Sequence, residues 1–423
     1  MTRIRIGLLA TFVWALYVVG TSAAPAQAQS AGLDRARLAH LDRVLDEHVA
    51  SGRLPGAVAL VLRDGQVVYE RAVGFADREA GVPMAADSLF RIASQTKAIT
   101  SVAALMLMEE GRLQLTDPIS RWMPTFAKPV VAVAGTDGAT VREPARRSIR
   151  VNDLLLHTAG LSYGTGARVA AEYEAAGLGP AAGYGWYTAD KAEPICATMD
   201  RLGTLPLVAQ PGEAWVYGYA TDVLGCIVER VSGMTLDTFF QSRITGPLGM
   251  NDTHFFLPAD KARRLAAVYA SDGDGKAIRA PEGSRGQGHY TTGPRASYSG
   301  GAGLVSTARD YARLLEMVRR GGELDGVRLL SPRTVALMTT NQVGTLHSSA
   351  GLGWGLAFET TDRLGANGLS APGSFGWGGA YGSVYRVDPE AGLTMVLLIQ
   401  LIPNSTDIRT LFPTLVTQAV VGR

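Results

Sequence analysis

Two stretches at opposite ends of the chain read as parts of one β-sheet, and this limits the fold more than any other feature. Near the N-terminus, Ala57 to Leu62 and Gln66 to Ala72 are valine-rich apolar runs joined by Asp64-Gly65, a pair suited to the tight turn of a hairpin. Near the C-terminus, Gly353 to Glu359, Gly382 to Val387 and Leu393 to Gln400 read as strands, with Asp388-Pro389 and Ala391-Gly392 as turn material. Helical spacing brackets these strands: Leu38, Leu41, Val44, Leu45 and Val49 share one face of residues 33–49, and a last helix is expected from about Asp407 to Val420. Between the ends, Ile99 to Glu110, Val151 to His157, Thr221 to Val231 and Ala308 to Arg319 read as helices separated by long Gly/Pro-rich loops. The expected fold class is α/β plus α: an antiparallel sheet flanked by helices, built from both chain ends. Residues 29–110 and 300–423 would form one discontinuous α/β domain and residues 111–299 a mainly helical insertion, within the two or three units that 423 residues allow.

The first 28 residues stand apart from this pattern. Arg3 and Arg5 precede an apolar run from Ile6 to Gly20, and Ala26-Gln27-Ala28 has the small-residue spacing of a signal-peptidase site. Residues 1–28 are therefore read as a signal peptide, which predicts a periplasmic or secreted protein. An uncleaved anchor is the other reading, although the run is shorter than the ~20 residues a bilayer requires. No later segment reaches spanning length, so no membrane span is expected after signal removal. Export leaves Cys196 and Cys226, the only cysteines, open to a disulfide or to life as buried thiols.

Composition then excludes some partners. Basic and acidic residues nearly balance, 40 against 38, and no block of like charge could track a nucleic-acid backbone. No pair among the six histidines has zinc spacing, and Asp272-Gly273-Asp274-Gly275 lacks the later ligands of a calcium loop. Neither metal nor cofactor is expected. The stretch from Gly164 to Asp190 carries Tyr173, Tyr184, Trp186 and Tyr187, aromatics that either line an apolar pocket or pin the loop.

Two serines compete as a nucleophile. Gly160-Leu161-Ser162-Tyr163-Gly164 matches the Gly-x-Ser-x-Gly elbow, which requires a strand before the serine and a helix after it; here a short helix precedes and glycines follow. A Ser162 nucleophile would also need a downstream histidine as its base. Ser94-Gln95-Thr96-Lys97 has the better setting. The apolar run Ile99, Val102, Ala103, Leu105 and Met106 begins just after it, so Ser94 sits at a helix N-terminus and Lys97 shares its face. Lysine is scarce in the chain. Burial and the helix dipole both favour a neutral, basic amine at that position, and the free N–H groups favour an oxyanion beside Ser94.

Ser-x-x-Lys, together with Phe90 to Ala93, Leu154-Leu155-Leu156-His157-Thr158-Ala159-Gly160-Leu161, Pro211-Gly212-Glu213-Ala214-Trp215-Val216-Tyr217 and Gly301-Ala302-Gly303-Leu304-Val305-Ser306-Thr307, resembles the serine β-lactamase superfamily across nearly the whole mature chain. The likeness points to its class C-like branch, and especially to family VIII carboxylesterases. The resemblance implies a β-lactamase/transpeptidase-like fold and an acyl-enzyme on Ser94. Lys97 and Tyr217 would form the proton-transfer pair, with the acylation base left open between them. Trp377-Gly378-Gly379-Ala380 stands in place of the Lys-Thr-Gly strand; its glycines would allow close substrate approach, and the Ala380 N–H would join that of Ser94 in an oxyanion hole. His157 is expected to be structural.

Two departures bear on substrate. Tyr217-Gly218-Tyr219 replaces Tyr-x-Asn, putting Tyr219 where an amide would face substrate, and Trp377 replaces the lysine that would hold a carboxylate. Loss of a charged partner weakens β-lactam and peptide binding selectively. The expected function is an exported carboxylesterase acting on small esters. A class C-like β-lactamase or D-amino-acid peptidase is the alternative within this chemistry, and a cell-wall sensor that acylates without turnover is the alternative outside it.

Overall fold

The computed structural model describes residues 32–179, 190–284 and 286–422. Residues 1–28, the stretch read from sequence as a signal peptide, and Tyr184, Trp186 and Tyr187 lie outside the described residues. Helix α1 (Arg35–Ala50) comes first, its opening turn capped by the Asp34 carboxylate, which accepts from the Ala36 and Arg37 N–H groups. Strands β1 (Gly56–Arg63) and β2 (Gln66–Asp77) follow. Asp64 and Gly65 between them both have positive φ, 51° and 81°, as a tight hairpin with right-handed strand twist requires. Strand β3 is Val82–Pro83, and the helices that frame the site are α2 (Thr96–Glu109), α3 (Val151–Leu155), α4 (Ile195–Leu202), α5 (Ala220–Ser232) and α6 (Ala308–Arg319). The chain ends with β4 (Leu352–Trp354), β5 (Glu359–Thr361), β6 (Phe375–Gly378), β7 (Val384–Asp388), β8 (Leu393–Leu398) and α7 (Ile408–Thr417).

Eight strands make one antiparallel sheet in the order β4-β5-β6-β7-β8-β1-β2-β3. The two ends of the chain meet at its centre, where β1 pairs with β8 in the register Val58↔Leu398, Leu60↔Val396 and Leu62↔Thr394. All eight residues of β1 are buried, because both faces of the sheet are covered. Val58, Leu60 and Leu62 point into the larger core with α2 and α6. Ala57, Ala59 and Val61 point the other way, onto Leu38, Leu41 and Leu45 of α1 and Ile408, Phe412 and Val416 of α7. The period-2 alternation of a strand thus feeds two cores from one apolar run.

Every residue of α2 from Thr96 to Leu107 is buried, so this helix is enclosed on all sides. It packs on α5, which also packs on α3 and α4. Cys196 of α4 and Cys226 of α5 form a disulfide, which resolves the open question of their state. Tyr173 is buried and donates to the Pro206 carbonyl at 3.1 Å, so this aromatic pins its loop. The Asp272 carboxylate accepts from the N–H groups of Asp274 and Lys276, making a plain turn.

One expectation is corrected. Gly353 to Glu359 is not a single strand, since β4 ends at Trp354 and β5 starts at Glu359. The chain turns at Gly355, packed so closely that a Cβ would lie 2.0 Å from the Met338 carbonyl oxygen. Among the described residues no helix is long and apolar enough to cross a membrane.

The disulfide closes a loop across the α4–α5 packing, with a sequence separation of 30. Unfolded without reductant, the purified chain should take up no thiol-alkylating reagent. Reduction should lower its unfolding free energy by ~2–4 kcal/mol, read as a shift in the denaturant midpoint.

Candidate active site

Phe90–Arg91 leads through Ile92 into a 3-10 turn, Ala93–Gln95, that runs directly into α2. Ala93 has φ 45°, a left-handed conformation that is costly for a residue with a Cβ and that directly precedes Ser94. Ser94 consequently sits at the N-terminal end of an enclosed helix, where unpaired N–H groups and the positive dipole end converge. One turn on, Lys97 is only 3% exposed. Its Nζ lies 3.3 Å from Ser94 Oγ, 3.0 Å from the Tyr163 hydroxyl and 2.7 Å from the Gly301 carbonyl oxygen. Three acceptors match the three donors of an ammonium.

Tyr217 approaches the same lysine differently. Lys97 Nζ is 4.8 Å from the centroid of its ring, and the Tyr217 hydroxyl accepts from Trp377 Nε1 at 3.0 Å. Trp215 stacks on the Tyr217 ring with centroids 5.6 Å apart, and His157 and Trp377 pack on it at 4.8 and 5.5 Å. Trp354 meets Trp377 edge-on at 4.8 Å, extending an aromatic wall. His157 is buried. Burial, then the positive fields of Lys97 and His347, hold its pKa well below the usual histidine range, so it is a neutral packing residue of this wall.

The Trp377-Gly378-Gly379-Ala380 segment ends β6 beside the nucleophile turn. A Cβ on Gly379 would lie 2.6 Å from the Ile92 carbonyl oxygen, and one on Gly378 would lie 2.6 Å from that of Ser383 and 2.5 Å from the Arg409 guanidinium. The glycines were expected to make room for substrate. Their smallness also serves the protein itself, seating the end of β6 against Ile92 and Ala93, with Ala380 packed in the same cluster as Ala93.

Behind Lys97, the segment carrying Gly301 is pinned from two helices. Thr100 of α2 donates to the Gly300 carbonyl at 2.7 Å, and the Leu304 N–H donates to Thr96 Oγ1 at 3.1 Å. Asp222 of α5 accepts from Ser299 Oγ at 2.5 Å and from the Gly301 N–H at 3.0 Å. Burial raises the Asp222 pKa, while Lys97 and these two donors oppose the rise.

Three residues here were not singled out by sequence reasoning: Tyr163, Asp222 and Gly301. Tyr163 lies inside the Gly-x-Ser-x-Gly stretch, a pattern that points only to its neighbour Ser162. Burial, then the fields of Tyr217, Asp222 and Tyr219, push its phenol well above the usual range, so it meets Lys97 as a neutral hydroxyl. Asp222 carries a weaker signal, a carboxylate in the first turn of a helix whose next six residues carry no charge. Ser162 is buried in a loop with neither strand before nor helix after, and its Oγ accepts from the Gly164 N–H at 3.1 Å. Tyr219 needs correction as a substrate contact: it is fully buried, and its hydroxyl donates to the Leu178 carbonyl at 3.0 Å, beneath the cleft floor. The side chain after Tyr217-Gly218 begins α5 and turns into the helical core.

The chain has counterparts among known proteins. The beta-lactamase family model matches residues 41–411. Esterase EstB of Burkholderia gladioli is 36% identical over 86% of this chain and 91% of its own length. Among solved structures, EstCE1, described as a hydrolase with promiscuous acyltransferase activity, superposes with a TM-score of 0.74 at 30% identity, covering 92% of this chain and 99% of the other. Simvastatin synthase (LovD) from Aspergillus terreus gives 0.75 at 25% identity, covering 91% and 98%. With a Ser-x-x-Lys pair at the head of an enclosed helix and the family match over nearly its full length, the chain belongs to the beta-lactamase family and is a serine hydrolase.

Proposed function

We propose that the chain is an exported carboxylesterase that cleaves small esters through an acyl-enzyme on Ser94. The observation that carries this reading is the placement of the Lys97 amine between Ser94 Oγ, Tyr163 and the Gly301 carbonyl. The carbonyl can only accept, so it fixes one N–H. Tyr163 takes a second. The third position, toward Ser94, is then either an N–H donor or the lone pair of a neutral amine accepting the serine proton, and the two states interconvert without moving the side chain.

Ser94 Oγ attacks the ester carbonyl as its proton passes to the Lys97–Tyr217 pair. The carbonyl oxygen becomes an oxyanion held by the Ser94 and Ala380 N–H groups. Collapse breaks the ester C–O bond and the pair returns the proton to the departing alcohol. Water then repeats the sequence against the acyl-enzyme, releasing the acid and restoring the serine. The Trp377 N–H, aimed at the Tyr217 oxygen at 3.0 Å, stabilises negative charge on that phenol and keeps it oriented.

The ester preference is supported by the aromatic wall of Trp215, Trp354 and Trp377, and by the similarity to proteins named esterase and hydrolase. Export is supported by the N-terminal sequence and is consistent with a disulfide between the only two cysteines. Parallel assays on p-nitrophenyl butyrate, nitrocefin and a D-Ala-D-Ala peptide test the choice of substrate class, with turnover expected on the first.

Ser94→Ala should abolish both p-nitrophenyl butyrate turnover and covalent labelling by a phosphonate, while Ser162→Ala should retain the labelling; the opposite pattern would overturn the assignment. Trp377→Phe keeps an aromatic ring but removes the donor to Tyr217. Its kcat should fall about tenfold, the scale of one lost hydrogen bond in the transition state, with KM for a neutral ester changed less. Steady-state kinetics on p-nitrophenyl butyrate check the split.

A further inference from the structure

The aromatic wall beside Tyr217 contains three indoles, and two of them are tethered. Trp354 Nε1 donates to the Leu155 carbonyl at 3.2 Å, and Trp377 Nε1 donates to the Tyr217 hydroxyl at 3.0 Å. Trp215 Nε1 is buried and has no hydrogen-bond partner among the described residues. Yet Trp215 is the ring that stacks on Tyr217, with 21° between the planes. With no polar tether, its orientation is set by the rings packed around it. Among the described residues the nearest of these is His347, at 4.4 Å between centroids, against 5.3 Å for Trp354, 5.7 Å for His157 and 6.3 Å for Trp377.

His347 comes from the irregular segment that precedes β4, and its side chain is 10% exposed. Its Nε2 lies 3.1 Å from Glu359 Oε2. Glu359 begins β5, and its other oxygen accepts from Arg386 of β7 at 3.1 Å and from Asn367 at 3.2 Å, so the carboxylate is fixed to the sheet. Burial raises the Glu359 pKa, but the His347 and Arg386 contacts outweigh it and hold the carboxyl below the usual range. An ionised carboxylate can only accept, so His347 Nε2 carries the proton of this bond. His347 Nδ1 is buried without a partner among the described residues. A single hydrogen bond therefore orients the imidazole, and the imidazole is the closest support of the indole on Tyr217.

We propose that His347 is a positioning residue for the reaction: tied to Glu359 on the sheet, it braces Trp215 and so keeps the Tyr217 ring over the Lys97 amine. This rests on the Ser94 esterase reading with Tyr217 in the proton-transfer pair, and it adds a residue that acts on that pair through Trp215. The sequence of supports runs from Arg386 and Asn367 to Glu359, His347, Trp215 and Tyr217, and ends 4.8 Å from Lys97 Nζ at the centroid of the Tyr217 ring.

The experiment measures steady-state rates on p-nitrophenyl butyrate per site titrated with the phosphonate, so that any loss of folded enzyme cancels. His347→Ala should lower kcat about tenfold, a scale that a small misplacement of a catalytic group readily reaches, with KM changed by less than about twofold. His347→Phe keeps a ring against Trp215 and should recover part of kcat. In a Trp215→Ala background the further change His347→Ala should cost less than about twofold, because the ring it acts through is gone. The proposal is overturned by a kcat within about twofold of wild type in His347→Ala, by a loss confined to KM, by a His347→Phe variant no faster than His347→Ala, or by an undiminished cost in the Trp215→Ala background. Failure of the underlying reading shows elsewhere, as p-nitrophenyl butyrate turnover that survives Ser94→Ala.

Discussion

The pairing of β1 with β8 is the constraint on which the remaining geometry depends. These strands lie at opposite ends of the sequence, and their ladder joins the two halves of the sheet. Because β1 is buried on both faces, neither half of the α/β structure can be completed alone. Its Val58 face requires α2 and α6, and its Ala57 face requires α1 and α7. The same closure sets β6 against Ile92 and Ala93, and so brings the Trp377–Ala380 segment to the nucleophile. Site and fold are consequences of one long-range ladder, whose loop-closure cost is incurred before its contacts form.

A second constraint is the burial of charge at Lys97. An ammonium removed from water is tolerated only when its donors are satisfied, and here the acceptors come from three separate parts of the chain. The neighbouring groups follow from this. Tyr163 and His157 are held neutral by burial and by surrounding charge, so neither competes for the proton. Asp222 places negative charge behind the lysine and tethers the Gly301 segment that accepts from it. The Lys97 amine thus sits buried in a largely aromatic setting, where small rearrangements of a proton carry large electrostatic weight.

Much of this was legible in the sequence, for local reasons. The Asp64-Gly65 hairpin, the α1 face of Leu38, Leu41 and Leu45, and the helices at Ala308–Arg319 and Thr96–Glu109 each follow from turn chemistry or hydrophobic period within a few residues. Ser94 and Lys97 were legible because they lie one helical turn apart, so their meeting is a local fact. The hairpin of β4 and β5 was missed because its turn at Gly355 is dictated by the Met338 carbonyl, which is distant in sequence. Tyr219 was misplaced because position in a motif does not say which way the first turn of α5 faces.

By itself, then, the amino-acid order determined what depends on neighbours along the chain: the strand and helix periods, the turn types, and a serine and lysine on one helix face. Only the tertiary structure decided that the Tyr163 hydroxyl meets the lysine while Tyr217 presents its ring to it, that Cys196 and Cys226 are bonded, that Ser162 is a loop tether, and that the Arg409 guanidinium of the last helix lies against Gly378. These outcomes depend on groups remote in sequence, brought together by burial and by the need to satisfy polar atoms removed from water. No local pattern encodes that juxtaposition.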